Sequence, residues 1–306
     1  MSVRDLRAAL LVLAALGAGA GCRCEKRSEP ALTHPPETPK TASTKEPVIR
    51  TLEWTFSGVS PRAVVVLPAN VQPGKMLPVV IALHGRGEAV KGPDQGAWGW
   101  PRDYALTTAF ERLLAPPLTV QDFQRFVSPA HLALRNESLR ALPFAGLIVV
   151  CPYLPDDDPA GEFTSTYAQF IEHELVPRIA KELPADTSRL GIDGVSLGGA
   201  VALRVGFSRP SLFRSVGAIQ PAIAIRQVDE WVALATSAKI AHPKLQLRLV
   251  TSEEDYFRSA IEAYDRALTA KGVSHEFLMT PGPHDYSFNR GPGSIELLFW
   301  HDQVLR

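Results

Sequence analysis

The chain has 306 residues, 32 Lys and Arg against 32 Asp and Glu, and 45% hydrophobic residues. Balanced charge gives no long-range attraction for polyanions, which argues against a nucleic-acid partner. Three cysteines exclude a disulfide framework, so the fold must rest on buried apolar area, which a chain of this length can supply.

Arg4 and Arg7 precede the apolar run Ala8 to Ala20, which is shorter than the roughly 20 residues a membrane-spanning helix needs and ends in small residues before Cys22. This predicts an export signal over residues 1–21. The stretch Leu16-Gly17-Ala18-Gly19-Ala20-Gly21-Cys22 resembles a bacterial lipoprotein signal. That resemblance implies lipidation of Cys22 and a chain anchored to a bacterial membrane, on its periplasmic or cell-surface side. Residues 22–50 are rich in Pro, Thr, Glu and Lys and poor in large apolar side chains, so they cannot offset the entropy of ordering. They read as a tether.

From Thr51 the pattern is that of one α/β domain, residues 51–306. Thr51–Phe56 and Ala63–Leu67 read as strands separated by a Gly/Pro turn. Leu77–Leu83 and Leu147–Cys151 are nearly continuous apolar runs, the mark of strands covered on both faces. Between them, residues 88–145 form an insertion longer than a crossover helix, with the character of a lid. Its Phe110, Phe123 and Phe126 suit the core face of two covering helices, whereas Trp98 and Trp100, in a Gly/Pro-rich segment, are candidates for substrate contact. Apolar residues at helical spacing from Phe170 to Ile179 follow, then a strand at Arg189–Val195, a helix at Leu197–Phe207, and strands near Val216–Ile219 and Leu245–Val250. A helix at Ser259–Lys271, a strand at Glu276–Met279 and an amphipathic helix at Ile295–Leu305 complete the chain. Alternation of this kind predicts a doubly wound, mostly parallel sheet flanked by helices. Cys151, at the end of a central strand, reads as core.

One motif sits where that architecture places chemistry. Gly194-Val195-Ser196-Leu197-Gly198 follows a strand and opens a helix, the context of a nucleophile elbow. The helix N-terminus offers backbone N–H groups and a positive dipole end to a developing oxyanion. A serine hydroxyl needs a base and the base needs an orienting acid, in the chain order Ser, acid, His. Of the histidines after Ser196, only His284 occupies a loop directly past the last strand; His242, His275 and His301 lie beside or within regular elements. The acid should follow the strand ending at Val250. Asp255 is the first choice there, with Glu254 and Glu253 as substitutes. Leu83-His84-Gly85-Arg86-Gly87 supplies the oxyanion loop, in which the N–H of Arg86 or Gly85 would pair with that of Leu197, while His84 braces the loop. Tyr286, after His284, is a candidate pocket wall.

The segments Val79–Gly85, Asp186–Gly199 and Arg209–Ala218 together resemble the esterase branch of the α/β-hydrolase superfamily, which includes esterase D-like and feruloyl esterases. Two departures stand out: Asp193, where that branch usually carries a small or apolar residue, and residues 88–145, which have no readable counterpart. The resemblance implies a Ser-Asp-His carboxylic ester hydrolase with no metal or organic cofactor, acting on a small-molecule or carbohydrate-linked ester. Other readings of the same fold are a non-catalytic surface binding lipoprotein, or a peptidase or acyltransferase on the same triad.

Overall fold

The apolar runs become neighbours in one eight-stranded sheet. The computed structural model describes residues 48–306; the export signal, Cys22 and nearly all of the tether lie outside the described residues. The strands are β1 (Ile49–Thr55), β2 (Arg62–Pro68), β3 (Leu77–Leu83), β4 (Ile148–Pro152), β5 (Ala185–Gly194), β6 (Ser215–Ile219), β7 (Gln246–Glu254) and β8 (Glu276–Pro283). They lie in the order β1-β2-β4-β3-β5-β6-β7-β8, antiparallel at β1–β2 and β2–β4 and parallel elsewhere. Ile49 and Arg50, assigned to the tether from sequence, pair with Pro68 and Leu67 and belong to the sheet.

Every residue of β3 and β4 is buried, because each strand faces a helical layer on both sides. Val79, Ile81 and Leu83 point into one core and Val80 and Ala82 into the other, the two-residue alternation of a pleated strand. The first core is closed by α3 (Glu162–Phe170), α4 (Val176–Glu182), α5 (Leu197–Ser208), α6 (Val228–Ala241) and α7 (Arg258–Ala270). A wider helical turn, Ile171–Leu175, joins α3 to α4. The second core is covered by α1 (Leu106–Leu114) and α8 (Ser294–Val304), with α2 (Pro129–Ala141) outside them contributing Leu139. Among the described residues no helix is long and apolar enough to cross a membrane.

The structure corrects four expectations. Residues 88–145 are a covering layer rather than a lid: Leu106, Ala109, Phe110 and Leu113 of α1 pack onto the sheet, and Phe123 is buried in the loop that follows. Helix α6 was not expected. Its buried stripe, Val228, Trp231, Val232, Ala235 and Ala238, is helical in spacing but largely alanine and valine, a weak signal. Helix α8 is not amphipathic, since residues 294–302 are all buried, with Glu296, His301 and Asp302 satisfied by internal partners. Strands β7 and β8 run four residues past their predicted ends, so Glu253 and Glu254 lie on β7 rather than in a loop. Cys151 is buried in core as expected, and burial pushes its thiol far above the usual range.

Candidate active site

The elbow forms at the carboxyl end of β5. Ser196 adopts φ 56° and ψ −118°, a region L-residues rarely occupy, held by the Ser196 N–H on the Ile219 carbonyl at 3.0 Å and by the Ser196 carbonyl accepting from Ala200 at 3.1 Å and Ala222 at 2.9 Å. The flanking glycines answer to crowding. A Cβ on Gly194 would stand 2.3 Å from the Gly198 carbonyl oxygen, and one on Gly198 would stand 2.3 Å from that of Leu83. Strand β3 is thereby pressed onto the start of α5, and the loop after β3 reaches the serine: a Cβ on Gly85 would lie 3.6 Å from that of Ser196.

His284 comes to the same place from the end of β8. Its Nδ1 donates to Asp255 Oδ1 at 2.8 Å, and that carboxylate also accepts from the Phe257 N–H at 2.9 Å and, through Oδ2, from the Thr251 hydroxyl at 2.8 Å. With Nδ1 engaged as donor, Nε2 is the nitrogen left to accept a proton. The Asp255 side chain is fully buried, and the rings of Tyr256 and Phe257 lie 4.1 and 5.4 Å from the imidazole centroid. Of the three carboxylates considered, Asp255 alone meets the histidine; Glu253 and Glu254 are exposed on β7.

Ser196, His284 and Tyr286 line one hollow of about 190 Å³ together with Gly85, Glu88 and Tyr104. A second hollow of about 660 Å³ adjoins Ser196 and runs past Leu197, Tyr256, Phe257 and residues 156–158. The two candidate oxyanion donors stand at helix N-termini beside these hollows. Leu197 opens α5, and Arg86 opens the one-turn helix Arg86–Ala89, first-turn positions whose N–H groups have no partner within the helix. Gly85, the alternative to Arg86, is already committed: its N–H donates to the Tyr104 hydroxyl at 3.1 Å. The Arg86 guanidinium pairs with Asp156 at 2.9 Å, and both residues line the wider hollow.

His84 braces rather than transfers protons. Its Nε2 accepts from the Leu154 N–H at 2.9 Å while Nδ1 bonds the Gly85 carbonyl at 3.0 Å, and burial lowers its pKa to about 4, keeping the ring neutral. Trp100, expected to touch substrate, is wholly buried and stacks edge-on against Tyr104 at 5.1 Å, so it is scaffold. Trp98 is half-buried against Val64, Ala97 and Tyr153. The departure at Asp193 is also structural. Its carboxylate meets His301 Nε2 at 3.0 Å, and His301 Nδ1 meets the Ser215 hydroxyl at 2.9 Å, a second Ser-His-Asp chain with no exposure through which a substrate could enter.

Three supporting groups escaped the sequence. Gln220, at φ 45°, donates from Nε2 to the Ser252 hydroxyl at 2.7 Å and to the carbonyl of Pro283, the residue before His284, at 3.0 Å. Thr251 fixes Asp255, and Tyr104 holds the oxyanion loop. The available signal was position, since Gln220 and Thr251 lie at the carboxyl ends of parallel strands, where open α/β sheets gather their sites.

A family model described as "Putative esterase" matches residues 58–238, more than half of the chain and spanning both the oxyanion loop and the elbow. The chain belongs to this esterase family. It is therefore a hydrolase of carboxylic esters on an α/β-hydrolase fold, as its resemblance implied. Solved structures agree in fold: a ferulic acid esterase superposes with a TM-score of 0.62 at 17% identity, over 84% of this chain and 99% of that one. The S-formylglutathione hydrolase of Staphylococcus aureus gives 0.56 at 14%, over 83% and 96%. A ferulic acid esterase of Anaeromyces mucronatus gives 0.54 at 19%, over 87% and 93%. No curated protein matches the chain in sequence.

Proposed function

We propose that this esterase is a serine hydrolase working through an acyl-enzyme, with Ser196 as nucleophile, His284 as base and acid, and Asp255 as the group that orients and stabilises the imidazole. The reading is carried by one observation: a serine strained at φ 56° at the head of α5 shares a hollow with a histidine whose far nitrogen is bonded to a buried aspartate. In the acylation step His284 Nε2 takes the Ser196 proton as Oγ attacks the ester carbonyl, and then returns it to the leaving alcohol. Water activated by the same nitrogen releases the acid. The N–H groups of Leu197 and Arg86 receive the oxyanion, whose charge the dipole of α5 also favours.

The structural neighbours named for ferulic acid, and the aromatic wall of Tyr256 and Phe257 in the wider hollow, favour an ester with a flat acyl or alcohol group. The N-terminal sequence favours export and a lipid anchor at Cys22. Radiolabelled palmitate should enter the full-length chain and not its Cys22→Ser variant; equal labelling removes the anchor. Ser196→Ala should remain folded yet lose at least about 10³-fold in turnover of p-nitrophenyl acetate, and a fluorophosphonate should label the wild-type peptide containing Ser196. Turnover surviving that substitution would remove the assignment.

A further inference from the structure

The loop that carries the Arg86 amide is tied at both ends to a single phenol. The Tyr104 hydroxyl accepts from the Gly85 N–H at 3.1 Å and donates its own proton to Glu88 Oε2. Gly85 caps the one-turn helix and Glu88 lies within it, so Arg86 and Gly87 stand between two anchored residues, in a first turn whose N–H groups have no partner within the helix, and both line the hollow beside Ser196.

Glu88 is an unusual residue to find in that place. It is only 1% exposed, and a carboxylate so placed needs partners. Besides Tyr104 it has Lys91 Nζ at 3.4 Å, which also bonds Asp103 at 2.9 Å. The same ammonium lies over the Tyr286 ring, 5.1 Å from its centroid, and Tyr286 lines the hollow together with Glu88. Tyr286 follows His284 by two residues, and a Cβ on Gly87 would stand 2.9 Å from its hydroxyl, so the histidine loop and the oxyanion loop meet at Glu88. Tyr104 is itself immobilised. Its carbonyl accepts from the Ser294 hydroxyl at 2.7 Å, its ring packs edge-on against buried Trp100, and the neighbouring Gly99 presses so closely on Glu88 that a Cβ there would stand 2.6 Å from Cγ.

We propose that Tyr104 and Glu88 are positioning residues of the oxyanion hole, fixing the Arg86 amide relative to Ser196 and, through Tyr286, keeping it in register with His284. Neither touches substrate. They act because an oxyanion donor helps only when it already stands where the charge develops, and a displacement of about 1 Å costs on the order of 10²-fold. The inference rests on Ser196 being the nucleophile.

The test uses the full-length protein with p-nitrophenyl acetate as substrate and phenylboronic acid, which becomes tetrahedral on an active serine, as a probe of the hole. Tyr104→Phe, which removes one oxygen and keeps the ring, should lower kcat about 10- to 100-fold while KM stays within about twofold, and should weaken phenylboronic acid by a similar factor. Glu88→Gln retains an oxygen for the Tyr104 proton and should keep markedly more kcat than Glu88→Ala. A folded Tyr104→Phe with kcat and boronate inhibition within about twofold of wild type overturns the proposal, as does a Glu88→Gln indistinguishable in kcat from Glu88→Ala. The second comparison decides the matter if Tyr104→Phe fails to fold. Ser196→Ala run alongside separates the two readings: its inactivity together with wild-type kinetics in Tyr104→Phe sinks the positioning role alone, whereas its full activity sinks the nucleophile and the positioning role with it.

Discussion

Ser196 keeps a backbone conformation that costs about 1–3 kcal/mol for a residue with a side chain, and three hydrogen bonds, to the end of β6, the first turn of α5 and the loop after β6, hold it there. Strain of this kind lifts the hydroxyl out of the turn toward the cleft. Ser196→Gly removes the Cβ that makes φ 56° unfavourable. It should raise the free energy of unfolding by about 1 kcal/mol while abolishing esterase activity, a combination that urea denaturation beside an activity assay would reveal. A decrease in stability would instead mean that the side chain is bonded in the resting protein. Asp255 is the other residue on which the proposed mechanism depends. With the Phe257 N–H, the Thr251 hydroxyl and His284 all donating to it, the carboxylate is held as an acceptor, and Asp255→Asn should cost about 10³- to 10⁴-fold in kcat by spoiling the imidazole tautomer.

At the scale of elements, the site is a meeting of strand ends. Strand β3 delivers the loop of the proposed oxyanion hole, β5 Ser196, β7 Asp255 and β8 His284, and they converge because all four are parallel members of one sheet. His84 ties the end of β3 to Leu154 beyond β4. Burial lowers its pKa from the ordinary 6.5 to about 4, so the unfolded chain takes up a proton before the folded one does. The stability that His84 contributes is therefore complete above the unfolded value and is lost as pH falls from about 6.5 toward 4. Urea midpoints measured between pH 8 and 4 should decline through that window, and His84→Gln, whatever it does at pH 8, should flatten the decline. An unchanged slope would place the acid sensitivity elsewhere.

Over the whole molecule, the two helical layers are fastened by different means. The face built from α3 to α7 is apolar nearly throughout. The opposite face, beside its apolar cluster, carries a buried ionic knot: Glu296 of α8 receives Arg135 of α2 through both oxygens at 2.8 Å, His131 at 2.8 Å and Arg248 of β7 at 3.2 Å. The Arg135 and Arg248 charges, with the His131 hydrogen bond, hold the Glu296 carboxyl far below the usual glutamate range despite its burial. Glu296→Gln removes the counter-charge of the Arg248 guanidinium, 2% exposed, leaving its bond to the backbone carbonyl of residue 296, and should destabilise the fold by about 3–5 kcal/mol, read as a lower urea midpoint at pH 7. A loss below about 1 kcal/mol would show that water replaces the partner.

What the sequence by itself determined was whatever depends on local order: the buried strands β3 and β4 from unbroken apolar runs, the elbow from glycines two before and two after a serine, and His284 from its loop past the last strand. Strand ends were legible only to within a few residues, and α6 was missed because alanines make a faint stripe. Asp255 was the first choice from sequence over Glu253 and Glu254, but the bond that singles it out, the engagement of the Gly85 N–H and the placing of Trp100 in the core belonged to the tertiary structure. Each turns on partners beyond the local stretch: His284 for Asp255, Tyr104 for Gly85, and for Trp100 the core shared with Val80, Val195 and Phe288. Glu88, Tyr104 and Gln220 carry no local signature at all. A buried polar group is defined by the bonds that satisfy it, and those exist only once strands and loops far apart along the chain have been brought together.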